Sequence, residues 1–482
     1  MFRDRSAAIA DNQPVTGAGA AVTPGSAGPL ILVTGVGCPN QLRSWADGHL
    51  QDRACGIIAD ANRQAIGVAA ADLDADGEEE LYVHNTDTDG GACATTDLLL
   101  DRIDHNGRTV WCDAFANAVN TDRGNFTAGR SVAAVDRFGT GRYGMVVAGS
   151  GAATRCYELG DDGEITDMAD AIGLDATCGA RSLLAAPLVT ERMDLFVGVD
   201  DGPNRLFRND DGHFVDVAGT VGVDAPEADA RGATLVDAGD GTVAVAVGSW
   251  DGANHLFVPT DTGFRDASPP GFADPAHVRT LLAADFDNDG CQELFVTVCG
   301  GPNRLFAPVV DEAAVDDAAV DDVSAADGAA AATATEWEPR PLDAAAEPAG
   351  RGTGAVVADL DGDGRLELLV VHGDGDAQPL SLYDAPTDND WLRVRPTTQY
   401  GAAARGAVVT LDTDCGHQRR VIDAGSGYLC QSEPVAHFGL GGATAPTQTP
   451  RRLTVRWLDG RERTIESPAT KTTYEIAHPA SE

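Results

Sequence analysis

Three short loops carry acids at the same offsets: Asp72, Asp74, Asp76 and Glu80; Asp285, Asp287, Asp289 and Glu293; Asp359, Asp361, Asp363 and Glu367. With the first Asp as position 1, acids hold positions 1, 3, 5 and 9, and Gly77, Gly290 or Gly364 holds position 6. Calcium is a hard cation that takes about six to eight oxygens, and alternate residues of a tight loop can turn their carboxylates on one centre. Glycine at 6 permits the sharp turn, and the backbone carbonyl at 7, from Glu78, Cys291 or Arg365, can add an oxygen. Magnesium, which keeps several waters and few protein ligands, suits these loops less well. A helical calcium hand needs Glu at position 12. Val83, Val296 and Val370 stand there instead, in apolar runs of β type, so each loop joins two strands. One such loop reads as readily as a solvated turn. Three copies at one spacing predict about three structural calcium sites, because carboxylates so crowded repel one another without a cation.

The loops recur because the strands around them recur. A small-residue strand precedes each and an apolar strand follows, as in Val68-Ala-Ala-Ala-Asp72 with Leu81-Tyr-Val83, and Leu281-Leu-Ala-Ala-Asp285 with Leu294-Phe-Val296. Weaker copies at residues 132–147, 182–199 and 234–247 keep the strands but lose the acids. The loop at Asp136 lacks a ligand set and is expected not to bind. A second element, Gly202-Pro-Asn204-Arg-Leu-Phe207, returns as Gly252-Ala-Asn254-His-Leu-Phe257 and Gly301-Pro-Asn303-Arg-Leu-Phe306, with a faint copy at Asn40-Gln-Leu42. The result is seven units of about fifty residues, each with four short strands, the period of propeller blades.

The expected fold is therefore all-β: a seven-bladed β-propeller over residues 1–388, then a small β domain over 389–482. Units four and five end in outer strands at residues 213–216 and 263–266, but the seventh runs from Tyr383 into different sequence at Trp391. Phe2-Arg3-Asp4 is predicted to supply the missing outer strand and close the ring. The acidic stretch 311–335 reads as a mobile surface insert ahead of a fourth strand near Trp337.

Composition narrows the partners. The formal net charge is −41, and Lys471 is the only lysine. Such acidity repels nucleic acid and anionic membrane surfaces. Excess carboxylate with almost no lysine resembles proteins of salt-loving archaea. From Asn389 onward basic and acidic residues nearly balance, so the negative charge belongs to the propeller. No run of about 18 apolar residues suggests a membrane span, and Met1-Phe2-Arg3-Asp4 shows no apolar leader, which makes a cytoplasmic monomer the default expectation. Ten cysteines argue instead for disulfides in an oxidising compartment. Cys93 and Cys112 flank a hairpin and could meet, whereas Cys291 and Cys299 sit at opposite ends of one strand, roughly 25 Å apart.

These units resemble the FG-GAP or VCBS repeats of integrin-alpha-like propellers, strongly in three units and loosely in four. In the C-terminal part, Asn389-Asp-Trp391-Leu-Arg-Val, Arg405-Gly406, Gly427-Tyr428-Leu-Cys-Gln431-Ser432, His437-Phe438-Gly439-Leu440-Gly441 and Val455-Arg456-Trp457-Leu458-Asp459-Gly460 occur in order. Together they resemble the ASPIC/UnbV module of the cartilage acidic protein family. That family usually has Trp-Pro-Ser-Gly where this chain has Trp457-Leu-Asp-Gly460, which is still a good hairpin turn. The resemblance implies a calcium-binding, non-catalytic recognition or adhesion protein, exported, with an unidentified protein or carbohydrate ligand.

No nucleophile and base are assembled in sequence: Gly-x-Ser-x-Gly, His-Glu-x-x-His and Gly-x-x-x-x-Gly-Lys are all missing. His437, set between Val435 and Phe438, reads as a packed histidine. The alternative to a binding protein is a propeller enzyme, a lyase, hydrolase or quinoprotein-like protein, with its site in the central channel.

Overall fold

The computed structural model describes residues 1–104, 109–239, 241–309, 336–373 and 375–481. The predicted insert at 311–335 lies outside them. Among the described residues the fold is all-β with a few single-turn helices.

Strand pairing up to Asp384 builds seven four-stranded antiparallel units. Their innermost strands are Gly17–Thr23, Ala65–Ala71, Gly129–Val135, Thr177–Ala186, Ala230–Asp237, Val278–Ala284 and Gly352–Ala358. Each touches the next, and the last touches the first, so the units form a ring with these strands around a central channel. The third and fourth units are also joined, because Gly144–Ala153 continues past its own partners to pair with Thr177–Ala186.

The ring explains the small residues. Strands converging on a narrow centre leave no room for bulk: a Cβ on Gly67 would lie 2.1 Å from the Arg130 carbonyl of the next unit. Larger side chains pack between units, as with Tyr82, Phe115 and Tyr157, or Phe286 and Phe295. Every inner strand also carries a register shift near its start, between residues such as Ala180 and Ser182 or Ala230 and Gly232. Such bulges bend a strand and re-aim a side chain.

The N-terminus closes the ring. Arg3–Asp4 pairs antiparallel with Ser381–Asp384, Arg3 opposite Asp384 and Asp4 opposite Tyr383. Phe2 anchors this strand with its ring edge-on to Phe286, centroids 4.9 Å apart.

Residues beyond Asp390 form two sheets. In one, Asp390–Pro396 runs antiparallel to Ala436–Gly441 and parallel to Thr472–Ile476. The other has the order Gly416–Val421, Val408–Thr413, Pro450–Arg456, Glu462–Glu466. Leu392, Val409, Phe438, Leu453 and Trp457 fill the core between them.

All ten cysteines are free thiols. Cys93 and Cys112, which could have met across the hairpin, are not bridged: Cys93 lies in a loop with Sγ 3.1 Å from the Thr95 carbonyl, while Cys112 is exposed on the outer strand Thr109–Asp113.

Candidate metal centres

Each acidic loop follows an inner strand and leads into the second strand of its unit, so all three open on one face of the ring. In the first loop, ligand atoms of Asp72, Asp74 and Glu80 lie within 4.8 Å of one another; in the second Asp285, Asp287 and Asp289 do so; in the third, Asp359, Asp361 and Glu367. Oxygens bound to one calcium at ~2.3–2.6 Å can stand no more than about 5 Å apart, so each triad fits that ion.

The position-1 acid shapes each turn. Asp72 accepts from the N–H groups of Ala75 at 2.7 Å and Gly77 at 3.1 Å. Asp359 does the same for Gly362 and Gly364, and Asp285 for Asp289 and Gly290. Gly77, Gly290 and Gly364 have φ of +95°, +101° and +82°, which only glycine adopts at little cost. At position 7 the N–H groups of Glu78, Cys291 and Arg365 donate to Asp76, Asp289 and Asp363. Asp76 and Asp363 therefore brace their turns from outside the converging triads. Glu293 likewise stands outside its triad and accepts from the N–H of Phe286.

Crowded, buried carboxylates resist ionising without a cation. Burial, and then the charges of Asp74 and Asp76, push Asp72 up to about 7, against the N–H groups of Ala75 and Gly77. Burial, with Asp74 and Asp72 adding to it, pushes Glu80 to about 10. Asp287 rises to about 6 through burial and Asp289, and burial carries Asp285 and Glu293 well above the carboxylate range. Glu367 rises to about 9 through burial and Asp361.

The third loop differs in having guanidiniums bonded directly to its triad. Arg5, just after the N-terminal strand, donates to Glu367 at 2.8 Å and Asp361 at 3.3 Å, while Arg393 donates to Asp359 at 2.7 Å. A cation entering there competes with two guanidiniums.

The C-terminal module covers this face. Its main-chain N–H at Gly439 donates to Asp285 at 2.9 Å, Asn389 donates to the Asp287 carbonyl at 2.9 Å, and Gln448 to that of Asp289 at 3.1 Å. A Cβ on Gly364 would sit 1.8 Å from Cε2 of Trp391, and one on Gly77 2.5 Å from the Tyr400 carbonyl. Three buried arginines of the module reach propeller acids. Arg393 meets Asp359, Arg420 meets Asp237 at 3.1 Å, and Arg405 grips Glu79 with Nε 2.6 Å from Oε1 and Nη2 2.9 Å from Oε2. The near-neutral module thus presents its cations to the acidic propeller. His437 is buried, and its Nε2 lies 2.7 Å from the Asn288 amide oxygen. Burial, then Arg393 and Arg420, hold it well below the usual histidine range. It is a packing residue at the interface.

The same module fills the channel. Residues 424–433 descend into the ring and return, bonding to inner strands on the way. The Ala424 carbonyl accepts from Ala134, Gly427 exchanges two main-chain bonds with Ala233, and Tyr428 and Leu429 N–H groups donate to Thr280 and Ser131 hydroxyls. Fully buried Gln431 pairs through its main chain with Ala20 and Val22 and through its side-chain amide with Ala70. Glu433 closes the excursion on Val357 and Asp359. Leu429, at the tip, has φ +65°, a strained value for leucine. A cavity of about 110 Å³, lined among others by Asp237, Arg393, Arg420, Glu433 and His437, remains between module and ring. Sequence spacing had singled out Gly427–Ser432 only as a motif. What it could not show is that these residues are a plug, because their hydrogen-bond partners are spread over six of the seven units.

The chain matches the family model for ASPIC and UnbV over residues 397–482 and that for an FG-GAP-like repeat over 238–296. It is 38% identical to Cartilage acidic protein 1 of Xenopus tropicalis, over 93% of this chain and 71% of that protein. With the human protein of the same name it is 38% identical over 94% of this chain and 70% of the relative. YCF48 from Cyanidioschyzon merolae aligns at 9% identity over 80% of this chain and 98% of the other, with a TM-score of 0.44.

Proposed function

The chain belongs to the cartilage acidic protein family, and from that premise we propose that it is a calcium-binding, non-catalytic recognition protein acting outside the cell. The observation that carries the metal reading is the convergence of three acid triads at equivalent places in three units. Bound calcium would place a cation in direct contact with the first two triads, which no guanidinium among the described residues bonds directly as Arg5 and Arg393 bond the third, and would hold the turns on which the module rests. The resemblance of the acidic repeats to those of integrin-alpha-like propellers extends the proposal to an adhesive role, with a protein or carbohydrate as ligand. The channel, where a propeller enzyme would place its chemistry, is taken up by residues 424–433 of the same chain, which favours recognition over catalysis. We attribute the acidity beyond the loops to solubility in concentrated salt, on composition alone.

The test is calorimetric titration of chelator-stripped protein with calcium. The expected result is about three sites, the third weakest because of Arg5, all lost in the combined variant Asp74→Ala, Asp287→Ala, Asp361→Ala. Unchanged stoichiometry in that variant would refute the ligand assignment.

A further inference from the structure

The third unit carries a pocket of about 270 Å³ to which neither the module nor an acid loop contributes. It opens between the connection 122–126 and the two outer strands Arg155–Leu159 and Ile165–Asp167. Tyr157 stands directly opposite Asp167, and Arg155 lies two residues before it, so these three side chains project from one face of the sheet. Phe126 lines the other side with its ring 52% exposed.

Two features distinguish this pocket from an ordinary crevice. Tyr157 is only 4% exposed, its ring stacked on Tyr82 and edge-on to Phe115, both at 5.8 Å between centroids. Its hydroxyl nevertheless has no hydrogen-bond partner among the described residues and is not sealed from solvent. A tyrosine so deeply set normally finds a partner for its O–H, and here that partner must come from the pocket, as water or as ligand. The walls are also pinned. Asn125 donates to Asp97 at 2.8 Å and accepts from the Thr127 N–H at 3.1 Å, the Phe126 carbonyl accepts from the Cys93 N–H at 3.0 Å, and Arg123 donates to the Ile165 carbonyl at 2.9 Å. Little of the lining has to be ordered when a ligand enters.

We propose that this pocket binds one neutral pyranose ring of a glycan, its C–H face on Phe126 and its hydroxyls on the Tyr157 hydroxyl and the Arg155–Asp167 pair. Size admits a single ring, since the volume falls just below the ~300–1,000 Å³ of pockets for drug-sized ligands. The negative face of an exposed phenyl ring attracts the polarised C–H groups of a sugar. Arg155 gives Asp167 one bond, from Nη1 at 2.8 Å, and the two side chains stay 35% and 28% exposed. Each therefore keeps donors or acceptors to spare, which adjacent sugar hydroxyls can use without any ion being drawn in. An acidic sugar would instead meet the field of a strongly acidic propeller. The proposal deepens the recognition reading by naming a ligand class, at a site separate from the calcium loops.

The test is saturation-transfer NMR on the full chain in calcium. The probes are the methyl glycosides of glucose, galactose and mannose, with glucuronate and glucosamine as charged controls. At least one neutral glycoside should bind, with a dissociation constant on the order of 1 mM for so small a ligand, and more tightly than either control. Tyr157→Phe removes only the unpartnered hydroxyl, so it should leave the thermal midpoint unchanged and weaken that glycoside about tenfold, the worth of one hydrogen bond. Phe126→Ala removes the exposed ring and should weaken it at least as much; Tyr157→Phe decides the matter if that variant fails to fold. Calcium titrations of both variants should match the parent chain, so a failure here leaves the calcium reading standing, and the reverse. No binding of any neutral glycoside, equal binding in Tyr157→Phe, or preference for glucuronate or glucosamine would each overturn the proposal.

Discussion

Replacing Arg405 by methionine isolates the contact between module and propeller. The guanidinium is fully buried and makes four bonds: two to Glu79, one to the Asp423 carbonyl at 2.6 Å and one to that of Val22 at 2.8 Å. Removing one partner of a buried pair costs about 3–5 kcal/mol, because the other charge is left unpaired. If the chain unfolds as one unit, an unfolding entropy of ~2.1 cal/mol/K per residue gives about 1 kcal/mol/K, so the midpoint falls by roughly 3–5 °C. If residues 389–482 undock and melt alone, their entropy is about 0.2 kcal/mol/K and the first transition moves by roughly 15–25 °C. Differential scanning calorimetry in calcium separates the cases by the number of transitions. The double variant Glu79→Leu, Arg405→Met should recover most of the loss, since apolar groups can replace a buried pair at little cost. A loss below about 1 kcal/mol for Arg405→Met, the value of an exposed pair, would show that this interface does not bury the charges.

Other outcomes follow from the same contacts. Phe2→Ala should cost about 3 kcal/mol or more in urea unfolding, since it removes the anchor of the closing strand; an unchanged midpoint would argue against N-terminal closure. Gly364→Ala should destabilise by more than about 1 kcal/mol, because its Cβ meets Trp391 at a positive φ, and a neutral effect would mean that the module does not sit on this loop. Arg5→Gln should raise calcium affinity at the third site alone, as read by calorimetry; equal effects at all sites would exclude competition. The pH dependence has a fixed sign. Folded, metal-free Asp287, Asp72, Glu367 and Glu80 titrate near 6, 7, 9 and 10, all above their ordinary values. Their contribution is complete below the ordinary carboxylate range and is lost as pH climbs through those values. Chelated protein should therefore lose thermal stability between about pH 5 and pH 9, and calcium should raise the midpoint more at about pH 9 than at pH 5; equal calcium shifts at both values would contradict this.

Local repetition was legible in the sequence, and three-dimensional coincidence was not. The period of small strand, acidic loop and apolar strand marks the units, and even the closing Phe2-Arg3-Asp4 strand is visible as an element missing from one end and present at the other. The acid loops are readable because their geometry is set within nine residues. Which acids converge is less so: positions 1 and 3 do in every loop, but position 5 joins them at Asp289 while Asp76 and Asp363 brace turns. The plug and the module contacts escape sequence reasoning because Gln431 meets Ala20 and Ala70, and Arg405 meets Glu79, across more than three hundred residues. The free cysteines show the converse: an even count carries no pairing when the thiols lie on different strands and loops.

The central claim is that metal loops and plug form one assembly: cations order the loops on which the module stands, and the module holds residues 424–433 in the channel. Hydrogen exchange read by mass spectrometry, with calcium and with chelator, tests it most directly. The account predicts that calcium slows exchange in the three acid loops and in 424–433 together. Unaltered exchange in the loops, or protected loops with an unaltered plug, would contradict it.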